Sequence, residues 1–321
     1  MKVLVTGGAG FIGSYLVERL LGEGYKVIVV DNLSSGSLNN LKDVIGDPNL
    51  VFRRADVRSL DKWIDLLNGV DIVFHYAANP EVRHSVREPL DHYDQNLTAT
   101  MLVLEACRRK GVSFIVFASS STVYGDAEKI PTPEDYPLKP ISVYGATKAA
   151  AEIMCQTYAR LYNLKCLILR YANIIGPRTS HGVVYDFLVK LSKNPKKLEI
   201  LGDGSQRKSY LYIDDTIEAT MRAVEYFTNT NLVEEVFNIG NVDWVSVKEI
   251  ADIVVNVLGL EDVEYVFKPG TSDGRGWPGD VKLMLLDIAK IRRATGWSPT
   301  HSSREAVRLT AEALARRLGL K

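Results

Sequence analysis

The stretch VLVTGGAGFIG, residues 3–13, decides the fold. Its first half is a run of apolar, mostly β-branched residues, which is typical of a buried strand. Its second half carries Gly7, Gly10 and Gly13 and leads into a helical pattern that extends to about Glu23. Glycines let the backbone turn tightly and approach a pyrophosphate, and the first turn of the helix offers its N–H groups to the same anion. A strand, this glycine pattern and a helix in that order predict a dinucleotide site.

An aspartate at the end of the next strand pattern indicates which dinucleotide. Asp31 closes the apolar run at 26–31. A carboxylate there accepts hydrogen bonds from the ribose hydroxyls and repels a 2′-phosphate, which favours NAD over NADP. An ordinary glycine turn followed by a surface aspartate is the alternative. Asp56, at the end of a third strand pattern, is a weaker candidate for the adenine edge, because aspartates at strand ends are common turn residues.

Apolar runs alternate with helical patterns through the first half of the chain. Strands are predicted at 3–8, 26–31, 50–56, 71–77, 113–120 and 166–173, and helices at about 94–110 and 143–162. The runs are apolar on both faces, as in parallel strands covered by helices on each side. We therefore predict an α/β fold with a doubly wound (Rossmann) parallel sheet.

The alternation of strand and helix patterns becomes less regular beyond about Gly176, where only FNIGN (237–241) is a further strand pattern. We predict an NAD-binding domain at 1–175 that also takes in about 208–240. A smaller C-terminal substrate-binding domain, mainly 176–321, is predicted to be interleaved with it.

Composition excludes several classes of protein. Basic and acidic residues balance at 39 each, which gives no electrostatic reason to expect nucleic acid or an anionic membrane as a partner. The three cysteines form no CxxC pair and the histidines do not cluster, so no metal is expected. No apolar run approaches the roughly 20 residues of a membrane span, and the chain enters a strand without room for a signal peptide. We expect a cytoplasmic protein.

The stretch VYGATK, residues 143–148, carries the strongest candidate for chemistry. Tyr144 and Lys148 are four residues apart on a predicted helix and therefore share a face. A nearby ammonium stabilises a phenolate, so we expect Lys148 to lower the pKa of Tyr144 toward working pH. Ser120 ends a predicted parallel strand, at the sheet edge where such folds bind ligands. These three residues are the predicted catalytic group, and a solvated helix face is the alternative for the Tyr–Lys pair.

Five motifs together resemble the extended short-chain dehydrogenase/reductase family, and within it the UDP-glucose (UDP-galactose) 4-epimerases. They are GGAGFIG (7–13), DNLSSG (31–36), ASSSTVYGD (118–126), VYGATK (143–148) and RYANIIGPR (170–178). The similarity extends over nearly the whole chain, because GDGSQRKSYLYIDD (202–215) and FNIGN also fit. The resemblance implies NAD-dependent epimerisation at C4 of a UDP-hexose through a transient 4-keto sugar. It also implies NAD that stays bound between turnovers, and a homodimer formed through the helices near 94–110 and 143–162.

The resemblance also assigns residues. The cofactor set is Gly7, Gly10, Phe11, Ile12, Gly13, Asp31, Asn32, Ser34, Ser35, Gly36, Asp56, Val57, Tyr76, Ala77, Ala78, Asn79, Asn96, Tyr144, Lys148, Tyr171 and Ala172. The substrate set is Ser120, Tyr144, Asn173, Val183, Val184, Arg207 and Arg275, with Arg178 as a rival to Arg275 for the second diphosphate contact. The catalytic trio is Ser120, Tyr144 and Lys148.

The sequence departs from the family pattern at two positions. Pro80 stands where the epimerases often carry a lysine on the cofactor, and Arg83 is a candidate to replace that charge. Trp277 stands where an arginine on the diphosphate usually precedes Pro-Gly-Asp.

Related activities are partly distinguished by the residues that follow the active hydroxyl. Dehydratases of the family carry Thr-Asp-Glu there and decarboxylases commonly keep a glutamate, whereas this chain has Ser120-Ser121-Thr122. Without that acid and base, elimination has no proton shuttle, which leaves oxidation and reduction at C4. A 4-epimerase of UDP-N-acetylhexosamine or UDP-glucuronate is an alternative, and a dTDP-sugar enzyme is a more distant one. A non-enzymatic NAD-binding regulatory protein is disfavoured, because both Tyr144 and Lys148 are present.

Overall fold

A seven-stranded parallel sheet forms the centre of the molecule, for which a computed structural model describes all 321 residues. Its first six strands are β1 (Lys2–Thr6), β2 (Lys26–Asp31), β3 (Leu50–Arg54), β4 (Ile72–His75), β5 (Phe114–Ser120) and β6 (Lys165–Tyr171). The seventh is β11 (Glu234–Ile239), because four short strands outside this sheet precede it in the chain. They lie in the order β11-β6-β5-β4-β1-β2-β3. The fold-class prediction is confirmed.

Helices cover both faces of this sheet. They are α1 (Phe11–Gly22), α2 (Pro89–His92), α3 (Ala99–Lys110), α4 (Val143–Tyr162), α6 (Ile213–Thr228) and α8 (Ala289–Thr295). A π-helical segment at Tyr93–Thr98 precedes α3, and short 3-10 helices lie at Leu38–Leu41, Leu60–Lys62, Ile64–Leu67, His84–Val86 and Ser121–Tyr124.

The sequence of β1 shows why the sheet is covered on both sides. Side chains alternate between faces along a strand. Val3 and Val5 therefore pack in a core beneath α1, α6 and α8, whereas Leu4 packs in a second core beneath α3 and α4. Each fully buried side chain of this size contributes about 1.5–3 kcal/mol of transfer free energy. Strands that are apolar throughout thus support two cores at once.

The strand order also fixes where a ligand binds. β1 pairs with β2 on one side and with β4 on the other. The chain runs outward from β1 through β2 to β3 and then returns to the opposite side of β1 at β4. A doubly wound sheet binds ligands outside the carboxyl ends of its strands where this reversal occurs. The predicted glycine turn directly follows β1 and lies at that point.

The C-terminal part contributes smaller sheets. They are built from β7 (Asn173–Ile175), β8 (Lys197–Leu201), β9 (Arg207–Lys208), β10 (Tyr210–Tyr212), β12 (Val245–Ser246), β13 (Glu264–Lys268) and β14 (Leu283–Met284). A third core packs α5 (Val183–Lys193), α7 (Val247–Leu258) and α9 (Ser303–Arg317) against them.

The FNIGN pattern is the end of β11, which pairs in parallel with β6. The division of the chain into domains at about residue 175 stays a prediction. No helix combines the length and apolar character needed to cross a bilayer.

Candidate active site

A cleft of about 980 Å³ lies between the carboxyl edge of the large sheet and the C-terminal elements. It is lined by most of the residues that the sequence assigns to a site: Gly7, Gly10, Phe11, Ile12, Gly13, Asp31, Asn32, Ser34, Ser35, Asp56, Val57, Tyr76, Ala77, Ala78, Asn79, Ser120, Tyr144, Lys148, Tyr171, Ala172, Asn173, Val183 and Val184. Gly36, Asn96, Arg178, Arg207 and Arg275 are not in its lining. The cleft therefore brings most of the cofactor set together with the substrate set apart from its two arginines.

The glycine turn has the shape that a phosphate needs. Gly7 has φ of +70°, and a Cβ there would lie 2.7 Å from the nitrogen of Ala77. A Cβ on Gly13 would lie 2.2 Å from the carbonyl oxygen of Gly7, so the helix packs closely on the turn. At Gly10 the nearest protein atom to a Cβ would be 3.1 Å away, and that residue caps α1 without a side-chain hydrogen bond. The N–H groups of the first helical turn are thus left for an anion.

Asp31 is fixed by backbone donors at the end of β2. Its carboxylate accepts hydrogen bonds from the nitrogens of Ala9 (2.9 Å) and Leu33 (2.7 Å). Burial raises its pKa and these two bonds oppose the effect. Each oxygen keeps a second lone pair, so the carboxylate can also accept hydroxyl donors from a ligand in the cleft.

Asp56 faces the same part of the cleft. It accepts from the guanidinium of Arg58 and from the amide of Asn32 at 3.0 Å. Its hydrogen bonds with Arg58 hold its pKa well below the usual range, so it is ionised at neutral pH.

Two predicted residues support the wall of the cleft from behind. Asn96, in the π-helical segment, accepts from the nitrogen of Asn79 (2.7 Å) and donates to its carbonyl oxygen (3.2 Å). A Cβ on Gly36 would lie 2.9 Å from the backbone of Ala9. π-Helical turns often occur at functional sites, and here the turn presents Asn96 to a cleft-lining residue. Asn96 and Gly36 therefore act on the cleft through the residues that they contact.

Tyr144 and Lys148 share one face of the first turns of α4. Ser142 caps the start of this helix, and its hydroxyl accepts from the nitrogen of Gly145 at 3.1 Å. The Lys148 ammonium lies 5.9 Å from the centre of the Tyr144 ring and donates to the carbonyl oxygen of Ala118 at 2.8 Å. The bond to β5 fixes the ammonium close to the phenol.

The expectation that Lys148 lowers the pKa of Tyr144 is wrong for this structure. Burial raises the pKa of Tyr144 to about 12, and only its hydrogen bond with Ser120 opposes this. Burial also lowers the pKa of Lys148 to about 8. Both shifts have one cause, since a low dielectric disfavours the charged form of either group. At pH 7 the pair is a neutral phenol beside an ammonium.

Ser120 is oriented by a residue that sequence reasoning missed. The hydroxyl of Thr122 donates to Ser120 Oγ at 3.0 Å, and the nitrogen of Thr122 does so at 3.3 Å. Because Ser120 Oγ accepts both bonds, its own proton is free to be donated into the cleft. The sequence signal that could have identified Thr122 is its position two residues after Ser120, which ends a strand. This spacing is typical of a side-chain cap on a turn.

The predicted diphosphate arginines lie away from the cleft lining. Arg207 is exposed on β9, and Arg178 pairs with Glu18 at 2.5 Å. Arg275 donates to Asp126 (3.0 Å), to Asp273 (2.6 Å) and to the carbonyl oxygen of Asp280 (2.7 Å). Their roles stay predictions.

Lys208, next to Arg207, does line the cleft, and it pairs with Asp280 at 2.6 Å. Neighbouring side chains on a strand point to opposite faces, so only one of these two cations can face the cleft. The sequence alone did not show which of Arg207 and Lys208 faces the cleft.

Three of the seven buried side-chain polar atoms that have no hydrogen-bond partner belong to residues that line the cleft. Asn173 Nδ2, Gln206 Oε1 and Trp277 Nε1 are buried without a hydrogen-bond partner, and all three residues line the cleft. Buried polar groups usually have partners, so unpaired polar atoms in a cleft are typical of a binding site. No group of three or more His, Cys, Asp or Glu side chains is arranged to hold a metal ion.

Comparison with known proteins agrees with this geometry. The family model described as the NAD dependent epimerase/dehydratase family matches residues 3–240. The chain belongs to this family. A crystal structure of a UDP-galactose 4-epimerase is 50% identical, with a TM-score of 0.89, and the match covers 99% of this chain and 100% of that one.

Two further members of the epimerase/dehydratase family match over almost their full length. A UDP-glucose 4-epimerase from Thermotoga maritima, solved with UDP-glucose, is 36% identical with a TM-score of 0.87 and covers 99% of this chain and 100% of its own. A UDP-glucose 4-epimerase from Mycolicibacterium smegmatis is 34% identical over 97% of this chain and 98% of its own.

The NAD of this epimerase/dehydratase family fits the residues present. The glycine turn is packed too tightly for side chains at Gly7 and Gly13, which brings its backbone to the cleft lining, and Asp31 offers two carboxylate oxygens at the end of β2. NAD is the cofactor of the family, and the fold and the cleft of this member are built to hold it.

Proposed function

We propose that the protein interconverts UDP-hexoses that differ in configuration at C4, with UDP-glucose and UDP-galactose as the substrate pair. The observation that carries the proposal is the position of Ser120, Tyr144 and Lys148. They line the cleft together with both the glycine turn and the unpaired polar residues Asn173 and Gln206. A sugar placed at the trio therefore shares the cleft with the glycine turn and with polar groups that have no partner in the protein. Names of relatives that match over nearly the whole chain support the same substrate pair.

The chain's own contribution is to move a proton and to stabilise charge. NAD, when bound, supplies the oxidation at C4 and its reversal. Ser120 and Tyr144 hold the 4-hydroxyl of the sugar. The Tyr144 phenol first gives its own proton to solvent, and the phenolate so formed takes the proton of the 4-hydroxyl and later returns it. The Lys148 ammonium, held by Ala118, stabilises the phenolate while it exists. General acid–base help of this kind contributes about 10²–10⁴-fold to the rate.

The cleft also explains why the reaction stops at epimerisation. Elimination of water from a 4-keto sugar needs an acid and a base next to the active hydroxyl. Ser121 is buried, and the hydroxyl of Thr122 is engaged with Ser120. Neither residue ionises at neutral pH, so these two positions do not supply the acid and the base that elimination needs.

The test is to incubate the purified protein with UDP-galactose, with UDP-N-acetylglucosamine and with UDP-glucuronate, and to identify products by NMR. We expect UDP-glucose from the first, reached without net consumption of added NAD. Turnover of only the second or third substrate would transfer the assignment to that substrate, and turnover of none would contradict it. A Tyr144→Phe sample serves as the control for contaminating activity.

We also propose that the active form is a homodimer. Leu90 in α2, Tyr93 just beyond it, and Ile153 and Leu161 in α4 are apolar and exposed, with Leu90 79% accessible. Exposed apolar residues grouped on neighbouring helices mark interaction surfaces. Ile153→Glu combined with Leu161→Glu should halve the mass measured by sedimentation. Val51→Glu, at an exposed position on β3, should not change it. An unchanged mass in the double variant would remove this surface from the interface.

We infer a cytoplasmic location as well. The three cysteines are free and buried, which suits a reducing compartment. Fractionation of the source cells would test it.

A further inference from the structure

One cation in the cleft has no strong partner within the protein. Of the positively charged side chains that line it, Arg58 is bonded to Asp56, Lys148 to the backbone of β5, and Lys190 to the carbonyl oxygen of Glu199 at 2.9 Å. Lys208 is neutralised by Asp280, whose side chain is only 2% exposed. Arg83 is different.

The single ionic contact of Arg83 is with Asp186 at 4.0 Å, and the two side chains are 48% and 41% exposed. An exposed pair at that distance contributes little to stability. Arg83 can therefore leave Asp186 at little cost.

Arg83 and Lys208 meet at the ring of Trp277. Each lies 5.6 Å from the ring centre, Arg83 through its guanidinium carbon and Lys208 through its ammonium nitrogen. Trp277 begins a turn in which the nitrogen of Asp280 donates to its carbonyl oxygen at 3.1 Å. One turn thus carries both the ring and the carboxylate that fixes Lys208. An indole face attracts cations, so the ring of Trp277 brings two positive charges to one region of the cleft, which favours an anion there.

We propose that Arg83, held on the indole of Trp277, binds the diphosphate of the nucleotide sugar together with Lys208. This inference rests on the proposed function and deepens it. Trp277 stands where the epimerases usually carry an arginine that contacts the diphosphate. In this chain Arg83, from a distant segment, supplies the positive charge that the tryptophan lacks. The aromatic ring positions the guanidinium, and the guanidinium makes the contact with phosphate, for which its planar fork of donors is suited.

A diphosphate is favoured over a sugar carboxylate because of its charge. Two cations, Arg83 and Lys208, lie at the ring of Trp277. A diphosphate carries a negative charge on each of its two phosphates, whereas a sugar carboxylate carries a single charge.

The test measures the affinity of UDP, without any sugar, for the NAD-loaded protein by titration calorimetry. Arg83→Met keeps the side-chain stem and removes the charge, and it should weaken UDP binding by about tenfold or more. Trp277→Leu should weaken it in the same direction, and the double variant should lose less affinity than the product of the two single losses, because part of the effect of the ring passes through the guanidinium. Arg87→Met, in the same segment but outside the cleft lining, is the matched control and should bind UDP like the wild type. Arg83→Lys should restore part of the affinity.

Each outcome decides between alternatives. Unchanged UDP affinity in Arg83→Met would overturn the proposal. If only UDP-glucuronate lost affinity in that variant, Arg83 would serve a sugar carboxylate and the diphosphate assignment would be wrong. If the wild-type protein bound NAD but no UDP, the proposed function itself would fail. Equal melting temperatures of wild type and Arg83→Met would show that a lost affinity is not a loss of fold.

Discussion

Arg170 and Glu152 form an ion pair in the interior, with side chains only 6% and 1% exposed. Arg170 Nε lies 3.0 and 3.1 Å from the two carboxylate oxygens, and Nη2 lies 2.7 Å from one of them. Arg170 also donates to the hydroxyl of Tyr124 at 2.7 Å, and Ser119 donates to Glu152. The pair ties β5, α4 and β6 together one residue away from Ser120.

Removing one partner of this pair should destabilise the protein strongly. Glu152→Gln or Arg170→Met leaves a buried charge without its partner, which costs about 3–5 kcal/mol. The double variant Glu152→Leu with Arg170→Met should lose much less, because neither charge remains. Urea unfolding of the four proteins checks this, and single variants within about 1 kcal/mol of wild type would contradict it.

Tyr144→Phe should abolish turnover while the fold survives. The ring and its packing remain, and only the hydroxyl that faces Ser120 is lost. We expect the turnover number to fall by about 10²–10⁴-fold, with unchanged melting temperature and NAD content. Tyr162→Phe, at an exposed position at the end of α4, is the matched control. More than about a tenth of wild-type turnover in Tyr144→Phe would remove the residue from the proposed role.

Lys148→Met should make the protein more stable at neutral pH even though it loses activity. Burial lowers the pKa of Lys148 from 10.5 to about 8. Between these values the unfolded chain binds a proton that the folded protein has released, so wild-type stability rises with pH across that window. Below pH 8 the cost of the buried charge is fully present, and it amounts to at most about 3 kcal/mol.

The stability gap between Lys148→Met and wild type should therefore close from pH 8 to pH 10.5. Urea unfolding of the nucleotide-free proteins at pH 7, 9 and 10.5 measures it. Two stability curves that run parallel over this range would show that burial of the ammonium does not control the difference.

Asp31→Ala should weaken NAD binding and narrow the preference over NADP. The change removes the carboxylate that repels a 2′-phosphate, and we expect NAD affinity to fall by about tenfold or more. It also leaves the nitrogens of Ala9 and Leu33 without acceptors, so some stability should be lost. Fluorescence titration with both dinucleotides is the measurement. Wild-type protein that carries NADP when isolated would refute the basis of this prediction.

A comparison of three cations should locate the substrate anchor. Sequence favours Arg207 and Arg275, whereas the structure places Lys208 in the cleft. We expect Lys208→Met to raise the KM for UDP-galactose by about tenfold, and Arg207→Met and Arg275→Met to raise it less. Should Arg207→Met have the larger effect, the assignment made from the sequence would stand and the orientation of β9 would be different in the complex.

The sequence predicts some features well because short-range patterns determine them. The glycine turn follows a strand directly, and the Tyr144–Lys148 spacing is a property of one helix, so both needed no knowledge of distant contacts. Arg275 forms an ion pair with Asp126, and Arg83 contacts the ring of Trp277. Both contacts join segments that are far apart in the chain. No local pattern encodes such contacts. The pKa of Tyr144 was mispredicted for a related reason, since spacing reveals a neighbouring charge but not the depth of burial.

The pairing of β11 with β6 has a consequence for synthesis on the ribosome. β6 is complete at Tyr171, but the strand that covers its outer edge ends only at Ile239. A nascent chain thus exposes a buried-type strand edge, rich in leucine and isoleucine, while the intervening residues are being made. Such an edge is a template for pairing with other chains. Slow translation between these strands should therefore favour aggregation, and holding chaperones should act on this protein before its C-terminal half emerges.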